Sequence, residues 1–259
     1  DVTIDAAEIE GVDTSKISGV RVHAALASSC TGKTLVSIRV HGRDAFDISD
    51  LKKQGMFNDR LERQLLEIVD SQANFIISGA TGAGKTTLLR AMMLEAEGDR
   101  IIAIEDIAEL NLGNDYFLSL QTRPANIEEK GEISLDRLLR EALRMKPDRL
   151  LVGEVRGREL VTMLQALNTG HRGSATTIHA NSMAAVPTRL LGISAAAGLV
   201  AEQIAGQIAE AFEFVIHLGL VQGRRQVIQV GRLNIENGQL LVAPVAARNR
   251  LKASSVEAA

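Results

Sequence analysis

The chain has 259 residues, of which 46% are apolar and 24% charged, with a net charge of −3 at pH 7. That is the composition of a globular protein with enough core for one large domain or two smaller ones. A slightly acidic balance excludes a general attraction to nucleic acid or acidic lipid. Six Phe, one Tyr and no Trp are poor material for stacking bases, and no apolar run approaches the ~20 residues that span a bilayer.

The chain starts at Asp1 rather than Met and shows no signal peptide, so it is expected to be a trimmed piece with more chain upstream. Residues 1–19 are polar and lack periodicity, and are expected to fray. Val20–Ala24 and Leu35–Val40 read as strands. Between them, Ser28–Gly32 has turn chemistry. Thr31-Gly32-Lys33-Thr34 holds a Gly-Lys-Thr triplet, but Ser28 stands where a phosphate loop needs its leading glycine, so this too reads as a turn. The single cysteine, Cys30, excludes an internal disulfide and reads as a small buried or loop thiol in a reducing compartment. These features assign 1–54 to a small β-rich N-terminal domain.

Residues 55–71 read as a hinge, Gly55–Asn58, and a linking helix capped by Asn58 with Leu61, Leu65 and Val69 on one face. Residues 72–247 then alternate buried strands with helices, as a mainly parallel α/β sheet requires. The strands are Asn74–Ser78, Arg100–Ile104, Arg149–Gly153, Ser174–Ile178 and Phe212–Leu218. Helices are expected over Thr87–Ala96, from a Ser134 cap to Pro147, over Arg158–Asn168 and near 199–211, while the polar stretch 121–133 reads as a mobile loop. Val227–Ile235 and Gln239–Val245 form a hairpin through Asn237-Gly238. Residues 248–259 read as a flexible tail.

The most informative stretch is Gly79-Ala80-Thr81-Gly82-Ala83-Gly84-Lys85-Thr86, followed by Thr87. It matches the phosphate-binding loop at every fixed position and lies between a strand and a helix. Its glycines let the backbone wrap a polyphosphate, and its N–H groups and helix N-terminus favour anions. Lys85 is placed to bridge β- and γ-phosphates, and the Thr86 hydroxyl to reach Mg²⁺. ATP and Mg²⁺ are the expected cofactors. Glu105, Glu154 and His179 each follow an apolar strand, so they fall on the carboxyl rim of the sheet beside Lys85. Glu105 and Glu154 are candidates for holding Mg²⁺ and orienting water, without a decision between them, and His179 for sensing phosphate. His171 is balanced between helix-end packing and function.

Taken together, Gly79–Thr87, Ile104–Asp106, Gly153–Gly157 and Thr169–His171 with Thr177–Asn181 resemble the Walker A, Asp box, Walker B and His box of the type II/IV secretion and pilus ATPase superfamily. Thr122–Asn126 and Leu139–Asp148 are also similar, with the closest likeness to the TadA/CpaF branch, related to VirB11. The resemblance implies a RecA-like ATPase core behind a smaller β-containing domain. It also implies a ring, expected to be a hexamer, working against an inner-membrane platform protein from the cytoplasmic face without stable nucleic-acid binding. Arginines of the N-terminal domain complete the site in that family, which makes Arg39 and then Arg21 candidates. A nucleic-acid translocase and a nucleotide-gated scaffold with little turnover stay open as other uses of such a core.

Overall fold

The computed structural model describes residues 2–5, 17–28, 32–42, 46–125 and 130–245, in two compact units that part between Phe46 and Asp47. Cys30, Thr31, Asn126 and the tail from 248 onward lie outside the described residues.

In the first unit, strands Val2–Asp5 (β1), Ile17–Ala25 (β2) and Leu35–Gly42 (β3) form an antiparallel sheet in the order β1-β2-β3. β1 corrects the reading of 1–19 as featureless: Val2 and Ile4 alternate with polar residues, which suffices for a strand once β2 supplies a partner. Arg21 and Arg39 occupy directly opposed register positions on β2 and β3. Gly32 of the decoy triplet has φ +86° and lies in the connection between these strands.

The second unit begins earlier than the boundary read at residue 54. Helix Ile48–Lys53 (α1) belongs to it, because Ile48 and Leu51 are buried and α1 packs on the helices Asp59–Asp70 (α2) and Lys85–Leu94 (α3). The segment read as a hinge is packed as well. Met56 and Phe57 are buried, and the Met56 carbonyl accepts from Val227 N at 2.8 Å. Asn58 caps α2 as expected, its side chain accepting from Arg60 N and Leu61 N.

Eight strands make the central sheet of this unit. They are Phe75–Gly79 (β4), Ile101–Glu105 (β5), Phe117–Gln121 (β6), Arg149–Val152 (β7), Ala175–Ile178 (β8), Phe214–Val221 (β9), Arg224–Glu236 (β10) and Gln239–Pro244 (β11). Their order is β11-β10-β9-β4-β8-β7-β5-β6. From β9 to β6 every pairing is parallel, and β10 and β11 continue the sheet antiparallel. The remaining helices are Leu135–Leu143 (α4), Glu159–Leu167 (α5), Val186–Ala196 (α6) and Ala201–Ala211 (α7). Ile76, Ile102, Ile104, Leu150, Val152 and Val215 pack with these four helices. Alternate residues such as Phe75, Ile77, Ala103 and Leu151 are buried on the opposite face, where α3 covers β4 and β8. Cover on both faces explains why the parallel strands are continuous apolar runs.

Asn74 joins three parallel strands at their N-terminal edge. Its Nδ2 donates to the Ala211 carbonyl, its Oδ1 accepts from Ser174 N, and its own carbonyl accepts from Glu213 N and Phe214 N.

Besides β1 and α1, two elements of the larger unit escape the sequence reading. β6 is a half-buried edge strand whose partner lies on one side only, so its apolar signal is weak. α6 opens with Pro187 in its first turn and buries Val186, Leu190 and Ile193. The stretch 121–133, read as a mobile loop, closes on itself in its described part through paired backbone bonds between Arg123 and Ile133 at 3.1 and 2.9 Å. Asn237 and Gly238 take φ values of +51° and +77°, the conformation a two-residue hairpin turn demands. A second turn of that kind, Gln222-Gly223, joins β9 to β10.

Candidate nucleotide-binding site

Parallel strands end on one edge, so β4, β5, β7 and β8 deliver Gly79, Glu105, Gly153-Glu154 and His179 to the same rim. The phosphate loop leaves β4 at Gly79, whose φ is +154°. A Cβ there would meet the Leu218 carbonyl at 2.6 Å, so only glycine fits. Gly82 and Gly84 have φ of +74° and +92°, and Gly84 forms the N-cap of α3. Within the loop Ala83 is buried and Ala80 and Thr81 are exposed, and Thr87 is half-buried in the first turn of α3.

Lys85 is 8% exposed. Its Nζ donates to the Gly79 and Ala80 carbonyls, each at 3.1 Å, and to His179 Nδ1 at 3.2 Å. An ammonium has only donors, so Nδ1 accepts and the ring proton sits on Nε2. That Nε2 lies 3.3 Å from Glu154 Oε1. Glu154 Oε2 in turn accepts from Arg156 Nη2 at 2.7 Å, and Arg156 Nη1 reaches Asp106 Oδ2 at 3.5 Å. A continuous polar chain therefore runs from the phosphate-loop lysine to the carboxylate that follows Glu105. Burial pulls the Lys85 ammonium below its ordinary range, and Glu154 opposes that pull.

The turn that aims Glu154 is held from two sides. Thr177 Oγ1 donates to the Gly153 carbonyl at 2.6 Å, and the Thr177 carbonyl accepts from Val155 N at 3.1 Å. Glu159, buried at the start of α5, accepts from the amides of Arg156 and Gly157. Gly153 packs closely on the neighbouring strand end, since a Cβ would lie 3.0 Å from Glu105 Cγ and force that side chain to shift.

Glu105 behaves differently from Glu154. It is 4% exposed, and its oxygens accept from Glu109 N and Leu110 N at 3.2 Å rather than from Lys85 or His179. Burial pushes its carboxyl up to about 8, against the lowering effect of those two amides. The structure thus brings Lys85, His179 and Glu154 together and leaves Glu105 beside them, facing the 109–110 backbone. His171 is a helix-end residue: its Nδ1 donates to the Ala166 carbonyl at 3.0 Å. Arg21 and Arg39 belong to the first unit.

The sequence reading missed three groups here. Arg156 lies inside a block it quoted, but its link to Asp106 spans 50 positions. Arg225 on β10 donates from Nε to the Gly82 carbonyl at 2.8 Å, and no local signal marks a residue 143 positions from its partner. Buried His217 sits beneath the loop, its Nδ1 2.9 Å from Ser78 Oγ, with its proton affinity lowered by burial.

The donor set suits Mg²⁺ with a polyphosphate. The Thr86 hydroxyl makes no hydrogen bond to any described residue and stands half-buried in the first turn of α3, a hard oxygen directly after Lys85. Mg²⁺ needs few protein oxygens when phosphates and water supply the rest.

A glycine-wrapped loop opening a helix, a buried lysine and acids at neighbouring strand ends define a phosphate-loop nucleotide-binding α/β protein. The chain belongs to the type II/IV secretion system protein family, whose model matches residues 12–242. It is 39% identical over 228 residues to a putative conjugal transfer protein of Mycobacterium tuberculosis, covering 87% of this chain and 65% of the relative. A type IV secretion system protein VirB11 of Bartonella quintana is 32% identical over 171 residues, 64% of this chain and 48% of its own length. The chain thus spans less than two thirds of these relatives. Among solved structures, the VirB11 ATPase of the Brucella suis type IV secretion system in complex with sulphate superposes with a TM-score of 0.59 at 25% identity, over 87% of this chain and 76% of that one. The pilus retraction motor PilT with bound ADP shares the fold, with a TM-score of 0.63 at 22% identity over 95% and 64% of the two chains. The larger unit is therefore a RecA-like core preceded by a smaller β unit, as the sequence implied. Among the described residues no helix is long and apolar enough to cross a membrane.

Proposed function

We propose that the chain is the ATP-hydrolysing part of a secretion, conjugal-transfer or type IV (Tad/Flp) pilus motor. It works as a ring, by family resemblance a hexamer, on the cytoplasmic face of the inner membrane against a platform protein. The observation that carries this reading is the convergence of Lys85, His179 and Glu154 at one end of the phosphate loop. Thr86 and Glu154 are the residues that would hold Mg²⁺, which would supply charge neutralisation for the phosphates. The loop amides and Lys85 bind the β- and γ-phosphates, and His179 transmits their presence from Lys85 to Glu154. The two acids divide the work by environment. Glu154, ion-paired to Arg156, serves the metal side, whereas Glu105 acts in its ionised form, in which the proton affinity that burial gives it makes it the stronger acceptor for a proton from the attacking water. Arg39 and Arg21 are the arginines proposed to complete the site in the ring.

The test is Mg²⁺-dependent ATP turnover at rising protein concentration. Lys85→Ala is expected to abolish it, and Glu154→Gln to lower it by two orders of magnitude or about that. Robust turnover by both variants removes the mechanism. A rate per subunit that rises with assembly supports the motor, and a flat rate near zero replaces it with a nucleotide-gated scaffold.

A further inference from the structure

Beside the phosphate loop lies an open cleft of about 920 Å³. Its lining includes Ala80 and Thr81 of the loop, His179 and Asn181 after β8, and Thr188 and Arg189 of α6. We propose that this cleft is the compartment for the terminal phosphate of a nucleoside triphosphate and that Arg189 is the guanidinium that binds it. The inference rests on the nucleotide-binding reading and adds to it a residue outside every motif of the sequence.

The position follows from Lys85. A phosphate-loop lysine bridges the β- and γ-phosphates. Lys85 holds His179 at 3.2 Å, and His179 lines the cleft. The cleft therefore opens on the γ side of the loop. Its charge agrees. The lining contains no carboxylate, and its one other ionisable group, His179, already spends both ring nitrogens on Lys85 and Glu154.

Some arginines of this unit are matched to carboxylates and others, such as Arg158 and Arg224, are not; among the unmatched ones Arg189 is the one that lines the cleft. Arg156 is matched to Glu154 and Asp106, Arg149 to Asp99, and Arg232 to Glu213. The Arg189 guanidinium makes no hydrogen bond or ion pair with any described residue. An exposed guanidinium left without a carboxylate and facing a phosphate loop suits an anion that arrives with the ligand, and its planar fork fits two phosphate oxygens at once.

The backbone that presents it is fixed. Leu190 and Ile193 are buried on α6, and Ser194 Oγ donates to the Leu190 carbonyl at 2.9 Å. One turn further, Gly192 has nothing within 4 Å of where a Cβ would stand, which leaves the mouth of the cleft open. Arg189 is thus held on a rigid helix of the same compact unit as the phosphate loop, independent of the arginines of the first unit.

The test compares binding of Mg²⁺-ADP and of Mg²⁺ with a non-hydrolysable ATP analogue to the full chain by calorimetry. In Arg189→Ala the analogue is expected to bind at least tenfold more weakly while ADP affinity stays within twofold. Arg189→Lys should recover part of the loss, since it keeps the charge without the fork. An Arg189→Ala chain that loses ADP and analogue equally, or loses neither, overturns the assignment while leaving nucleotide binding in place. A wild-type chain that binds neither nucleotide removes the underlying reading and this one with it.

Discussion

Replacing Glu105 by Gln isolates one buried proton. The side chain is 4% exposed, and burial raises its carboxyl from the ordinary 4.5 to about 8. An unfolded chain ionises this group near its ordinary value, so between pH 4.5 and 8 the folded state binds the extra proton. Stability contributed by that proton is complete below pH 4.5 and is lost as pH rises toward 8. Each unit of pKa is about 1.4 kcal/mol, which makes the loss about 3 kcal/mol by pH 7 and at most about 5 kcal/mol above pH 8. Gln is close to isosteric, and its Oε1 can accept from Glu109 N and Leu110 N as the carboxyl does. It carries no titration. The variant should therefore match the wild type near pH 4.5 and melt progressively higher than it as pH rises. For a unit of this size a difference of 3 kcal/mol shifts the midpoint by about 6–12 °C. The assay is thermal unfolding of the nucleotide-free protein across pH 4.5 to 9, followed by circular dichroism. A melting difference that stays constant over that range refutes the argument, because it means Glu105 ionises in the fold as easily as in water.

Other substitutions test the scaffold around the site. Asn74→Ala leaves the Ala211 carbonyl and Ser174 N without their buried partner, and should cost about 2–5 kcal/mol in denaturant unfolding; a loss below 1 kcal/mol or about that would show that water replaces the amide. Gly79→Ala drives a methyl to 2.6 Å from the Leu218 carbonyl at a φ of +154°, so nucleotide binding should fall below detection while far-ultraviolet circular dichroism keeps its shape. Gly231→Ala places a methyl 2.5 Å from Val242 Cγ1 and 2.8 Å from Met183 Sδ. Overpacking of that kind should cost about 1–3 kcal/mol, and unchanged stability would mean that Met183 moves aside freely.

Much of this site was legible along the chain because its requirements are local. A loop that wraps phosphate needs glycines, a lysine and a hydroxyl at fixed offsets, and Gly79–Thr86 has them. Buried strands between caps and breakers announce themselves by composition, and parallel topology then puts Glu105, Glu154 and His179 on one rim. Elements with half-exposed faces, such as β6, were less visible, since an edge strand carries half the apolar signal of a central one.

Sequence alone thus determined the phosphate loop, the alternation of strands and helices, and the short list of acids and histidines near the ligand. Tertiary structure decided how those residues divide. Glu154 meets His179, 25 positions away, because two threonine hydroxyls of β8 tie it to the end of β7. Glu105 turns instead to amides four and five residues ahead and is buried there. Arg225 reaches the loop from a strand, and Arg189 lines the cleft beside it from a helix, each more than a hundred positions downstream. Their place depends on strand order and helix packing, which the whole core sets at once and no short window contains.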